Sequence, residues 1–169
     1  MASAWLRKAA YALADGVFAP CGVKIDAGRF DPAFGYPAGM QKHSKHGYIG
    51  GIALGTSAII ITPRREPIRV LDVITHEMVH MAAPGDNHGA LFARFASAVG
   101  LLPPWPATSA GPELVAKLQA IVNRIGPMPT PSVAPEPPKR AYIEDKEGNF
   151  QLVPSPWLPP RHKRDLPSR

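Results

Sequence analysis

The chain has 169 residues, 45% of them apolar, with a net charge of +6 and a sequence pI near 9.7. That length suits one domain with an appendage, and the apolar fraction is enough for one core. A single cysteine, Cys21, excludes a disulfide framework and a four-cysteine zinc ribbon.

The N-terminal segment Met1-Ala2-Ser3-Ala4-Trp5-Leu6-Arg7-Lys8 carries basic residues beside apolar ones, but Asp15 and Gly16 break the apolar stretch after it. We read residues 3–18 as an amphipathic helix and not as an export signal. No apolar run reaches the roughly 18 residues of a membrane span. These features point to a cytoplasmic protein, bacterial or in a phage-infected host cell, without a membrane partner. The basic excess is spread along the chain, which permits weak nucleic-acid association through phosphates without marking a reader of bases.

Next, Val23-Lys24-Ile25-Asp26 alternates like a short strand. His43 and His46 come later in a polar, Gly-containing segment and read as solvated loop histidines. Residues 47–54 and 57–62 look like two strands around a Gly55-Thr56 turn.

The central segment carries the chemistry. Ile68, Leu71, Ile74, Met78 and Val79 recur at helical spacing after Pro67, and Pro84-Gly85 closes the run. The pattern predicts a helix over 68–82. Within it, His76-Glu77-Met78-Val79-His80 reads H-E-x-x-H. Two imidazoles four residues apart share a helix face and can grip one Zn²⁺ at about 2.0–2.1 Å each. Glu77 adjoins that face, where a carboxylate can take a proton from a metal-activated water. The chemistry implied is metal-assisted hydrolysis, with a protein or peptide as substrate.

A catalytic zinc site needs a third protein ligand. His88, in Gly85-Asp86-Asn87-His88-Gly89, is the first choice. Asp86 is the second, because it stands where a metzincin would have its third histidine; Ala83 in place of glycine argues against that family. Glu113 fits poorly, since it opens a later helix. Asp72, one turn before His76, is either an acceptor for the second ring nitrogen of His76 or a solvated helix aspartate. Beyond the turn, Leu91, Phe92, Phe95, Ala96 and Val99 mark another helix, which Asp86 or Asn87 could cap. Candidates to stabilise an oxyanion are Tyr36, Tyr48, His43 and His46.

A third helix is expected over 112–125, with Leu114, Leu118, Ile121, Val122 and Ile125 on one stripe. The order of strands and then helices argues for an α+β domain over residues 1–126. Residues 127–140 form a Pro-rich linker. Residues 141–153 read as a β-hairpin around Asp145-Lys146-Glu147-Gly148-Asn149, and 154–169 as a Pro- and Arg-rich disordered tail.

The block from Gly35 to about Gly126 resembles the SprT-like metallopeptidases, in their phage and prophage form. The resemblance rests on Gly35-Tyr36-Pro37, Ala58-Ile59-Ile60-Ile61-Thr62-Pro63, the run from Val70 to His80, His88-Gly89 with Phe92, and Ala110-Gly111-Pro112-Glu113-Leu114. It covers just over half of the chain. It implies a zincin-like domain, with a short antiparallel or mixed sheet packed on the H-E-x-x-H helix. It also implies His76, His80 and His88 as zinc ligands and Glu77 as general base. The chain departs from the family by lacking the cysteine-rich ribbon many members carry. Some members, the Spartan proteases, cut proteins crosslinked to DNA; that substrate does not follow from the motif. The alternative to a peptidase is a zinc-holding module that binds DNA or protein.

Overall fold

The computed structural model describes residues 2–35, 51–54, 58–61, 66–130, 141–144 and 150–153. These fall into two compact units, 1–132 and 133–169. The first is an α+β unit. The second contains an antiparallel hairpin, β6 (Ala141–Glu144) with β7 (Phe150–Val153), in the register Ala141↔Val153 to Glu144↔Phe150. The expected turn at 145–149, the tail at 154–169 and linker residues 131–140 lie outside the described residues.

Helix α1 (Ala2–Leu13) buries Trp5, Leu6, Ala9, Ala10 and Leu13, spaced by three and four so that one stripe faces the core. It runs on through a π-helical turn, Ala14–Phe18, which adds Val17 and Phe18 to the core. Residues 23–26 do not form the expected strand. They lie between 3₁₀ turns at Ala19–Cys21 and Ala27–Arg29, and the Asp26 carboxylate accepts the Gly28 N–H at 3.0 Å. A side chain that bonds the backbone two residues on bends the chain locally and competes with a ladder.

The first strand is β1 (Asp31–Phe34), a segment without a strand-like pattern. It pairs in parallel with β3 (Ala58–Ile61), and β2 (Gly51–Leu54) pairs antiparallel on the other side of β3. The sheet order is therefore β1-β3-β2. Pro32 is compatible with β1 because an edge strand leaves one side of its backbone outside the ladder. The expected Gly55-Thr56 turn lies outside the described residues, as do residues 47–50 and Thr62.

Helix α2 (Pro67–Ala82) starts with Pro67 in its first turn and packs against β2 and β3. Val70, Leu71, Ile74, Met78 and Val79 are buried from it, and Ile59 and Ile61 from β3. Each such side chain contributes roughly 1.5–3 kcal/mol when fully withdrawn from water. Helix α3 (Ala90–Val99) packs on α2. A small ribbon comes next, β4 (Leu101–Leu102) with β5 (Ser109–Ala110), and then α4 (Pro112–Ile125), which packs on α1 and α2. Trp5 Nε1 donates to the Gly126 carbonyl at 2.9 Å, tying the start of α1 to the end of α4. Among the described residues, no helix is long and apolar enough to cross a membrane.

Candidate metal centre

The site grows from α2. Its apolar stripe is locked into the core, so the opposite choice of face is closed to it. His76 and His80 are one turn apart and half-buried, with their Nε2 atoms 3.2 Å from each other.

Two consecutive turns carry the chain from α2 to α3. The Asp86 N–H bonds to the Ala83 carbonyl at 3.2 Å, and the Gly89 N–H to the Asp86 carbonyl at 2.9 Å. Asn87, between them, has φ 52°, a left-handed conformation that asparagine tolerates better than most residues. These turns bring the His88 Nε2 to 3.4 Å from that of His76. One nitrogen from each of the three histidines lies within 4.8 Å of the others, close enough to hold a metal ion. Two nitrogens bound at about 2.0–2.1 Å on a tetrahedral ion lie about 3.3 Å apart. The spacings around His76 bracket that value, so the donor set fits a small borderline-soft cation.

Asp86 takes a different part. Its Oδ2 accepts the Phe92 N–H at 2.8 Å, capping α3 from outside the helix. A Cβ on Gly89 would meet Asp86 Oδ1 at 2.9 Å, so this approach requires glycine after His88. The carboxylate that ranked second as a ligand thus holds the turn that presents His88. Phe92 itself is fully buried, and its ring stands 5.1, 4.6 and 4.9 Å, centre to centre, from His76, His80 and His88. It forms an apolar floor beneath all three imidazoles. In the sequence it shows as a core position of α3 and as the aromatic that follows His88-Gly89 in the family resemblance, with no sign of its contact to the imidazoles.

Burial pushes the His76 and His80 imidazoles from an ordinary 6.5 down to about 4. The neighbouring histidines add to this: His80 and His88 act on His76, and His88 on His80. A hydrogen bond to the Asn87 backbone carbonyl acts the other way on His80. Both rings are therefore neutral near pH 7, with a lone pair to give.

Glu77 is buried, and burial raises its carboxyl from 4.5 to about 7; the Ala53 backbone hydrogen bond works against that rise. Ala53 belongs to β2, which lies beside α2 at an edge of the sheet among the described residues. A Cβ on Gly51 would meet the Ile60 carbonyl at 2.8 Å, Val73 Cγ1 at 2.9 Å and Glu77 Cγ at 3.2 Å. Glycine there lets β2 run close enough for its backbone to reach the carboxylate.

Asp72 does not orient His76. It is buried, with Oδ2 accepting from Arg69 Nη1 at 3.1 Å, while His76 Nδ1 lies 2.8 Å from Thr108 Oγ1. Thr108 was not legible as part of the site. It lies 32 residues from His76, in a Pro-rich segment without a metal-site signature. Glu113 sits exposed in the first turn of α4. Tyr36, His43, His46 and Tyr48 lie outside the described residues. No family model, curated protein or solved structure matches this chain.

Proposed function

We propose that the chain is a zinc-dependent peptidase with a zincin-like domain of the SprT-like kind. The observation that carries this reading is the convergence of three imidazole nitrogens on the helix that also carries a buried carboxylate. His76, His80 and His88 would hold the ion. When bound, zinc supplies Lewis-acid polarisation and brings the pKa of water towards ~7.

The chain's own groups supply the remaining steps. Glu77 accepts a proton as water attacks the peptide carbonyl, and hands that proton to the leaving amine. The Ala53 backbone bond ties its carboxylate to β2. Phe92 excludes water from beneath the imidazoles. As the sheet's edge strand beside α2, β2 offers backbone groups to an extended peptide. The lone Cys21 suits a reducing, cytoplasmic setting, which belongs to the same proposal.

The test combines elemental analysis with turnover of a denatured protein substrate. Wild type should hold one zinc per chain and His88→Ala should lose it. Glu77→Gln should keep zinc while hydrolysis falls by about 10²–10⁴-fold. Wild type without zinc would sink the reading. Zinc without turnover would favour the module that binds DNA or protein, and salt-sensitive retention on DNA would identify the DNA-binding form.

A further inference from the structure

We infer that Thr108 is a positioning residue of the metal centre: its Oγ1 accepts the Nδ1 proton of His76 and holds that imidazole in the tautomer whose Nε2 lone pair faces the other two histidines. This rests on the reading of the three histidines as metal ligands.

A neutral imidazole carries one proton on one of its two nitrogens, and a neighbour of the other nitrogen decides which. His76 is the hub of the cluster, since its Nε2 faces both the His80 Nε2 at 3.2 Å and the His88 Nε2 at 3.4 Å. A proton at that atom would aim at the position the ion must take. The proton therefore belongs on Nδ1, and the atom within hydrogen-bond distance of Nδ1 is Thr108 Oγ1, at 2.8 Å.

The hydroxyl is held in place by the chain around it. Thr108 ends a short loop, residues 103–108, whose two sides are joined by the β4–β5 ribbon in the register Leu101↔Ala110 and Leu102↔Ser109. The Gly111 N–H closes the base on the Gly100 carbonyl at 2.9 Å, and the Ala107 N–H bonds to the Pro104 carbonyl at 2.9 Å. Pro103, Pro104 and Pro106 preset three backbone angles, and the half-buried Trp105 packs against the core. A loop tied at its base and stiffened by proline has little backbone freedom left to lose, so the hydroxyl meets His76 at a reduced ordering cost. Partners of this kind fix ligand orientation and are typically worth 10–100-fold in metal affinity.

The experiment measures zinc dissociation constants by competition with a chromophoric chelator, for wild type, Thr108→Val and Thr108→Ser. Long-range ¹H–¹⁵N correlation spectra read the His76 tautomer alongside. Thr108→Val keeps the side-chain shape and removes the oxygen; Thr108→Ser keeps the oxygen. Valine should weaken zinc binding by about 10–100-fold and remove the preference for the Nδ1–H tautomer. Serine should stay close to wild type in both. Wild-type affinity in Thr108→Val would overturn the inference and leave the zinc site standing. Should Thr108→Val not fold, the wild-type spectrum decides: a proton on Nε2 of His76 in the metal-free protein overturns it. A wild type that binds no zinc removes the metal reading itself.

Discussion

Helix α2 and the irregular segments at 83–89 and 103–108 serve the same three imidazoles by opposite means. The helix sets the His76–His80 spacing through its pitch alone, and burial of its apolar stripe sets the direction in which they point. The turns and loop have no repeating geometry. They place His88 and Thr108 through individual hydrogen bonds, through glycine where a carboxylate comes close, and through proline. Periodic structure positions a pair of groups through a rule that sequence spacing reveals. Irregular structure positions a group only through its particular partners.

Removing a helix ligand should give the largest effect. His80→Ala should abolish zinc retention after dialysis and with it hydrolysis, as measured by elemental analysis and turnover, because two protein ligands do not make a catalytic site. Retention of stoichiometric zinc would show that irregular segments alone can hold it. Phe92→Ala strikes both regions at once, since that ring lies under every imidazole. It should cost about 3–5 kcal/mol in denaturant unfolding. A loss below about 1 kcal/mol would mean the floor does not couple helix to turn.

Asp86→Ala addresses the turn alone. Losing the cap should destabilise the protein by about 0.5–2 kcal/mol and weaken zinc binding through His88 only. Asp86→Asn, which keeps an oxygen for the Phe92 N–H, should then hold zinc as wild type does. A loss of zinc as complete as that expected of His88→Ala would place Asp86 on the metal and not on the Phe92 N–H.

The last effect is a pH slope in the metal-free protein. The imidazoles of His76 and His80, lowered to about 4 against an ordinary 6.5, take up protons more readily in the unfolded chain. Their contribution to stability therefore rises as pH climbs from about 4 to 6.5 and is level above that. Glu77, raised from 4.5 to about 7, has the reverse sign: its contribution falls across that interval. Two imidazoles against one carboxyl should leave a net rise up to pH 6.5. In Glu77→Gln the rise between 4.5 and 6.5 should be steeper, as unfolding midpoints at a series of pH values would reveal. An unchanged slope would mean Glu77 titrates normally in the folded chain.

Much of the helical frame could be read from residue patterns. Leu71, Ile74 and Met78 share a face because helical pitch makes them share it, and α4 starts and ends where Pro112 and Gly126 stand. Strands were harder. Val23-Lys24-Ile25-Asp26 alternates as a strand would, yet the Asp26 side chain captures the Gly28 N–H and turns the chain away. Asp31-Pro32-Ala33-Phe34 lacks alternation and carries a proline, yet it pairs with β3. A strand four residues long owes its existence to the neighbour that accepts its hydrogen bonds, and that neighbour is 27 residues away in the pairing of Asp31 with Ala58.

By itself, then, the sequence determined the features governed by short-range geometry: the α2 helix, the His76–His80 pair on one face of it with Glu77 adjoining, and the glycine-containing turn that leads to His88. Helical pitch and local turn chemistry act within a few residues, so they are written where they operate. Only the tertiary structure decided what crosses the chain: Thr108 against His76, Phe92 beneath three imidazoles, and the Ala53 backbone on the Glu77 carboxyl. Such contacts depend on how whole elements pack in the core, and no spacing within one segment encodes a partner supplied by another.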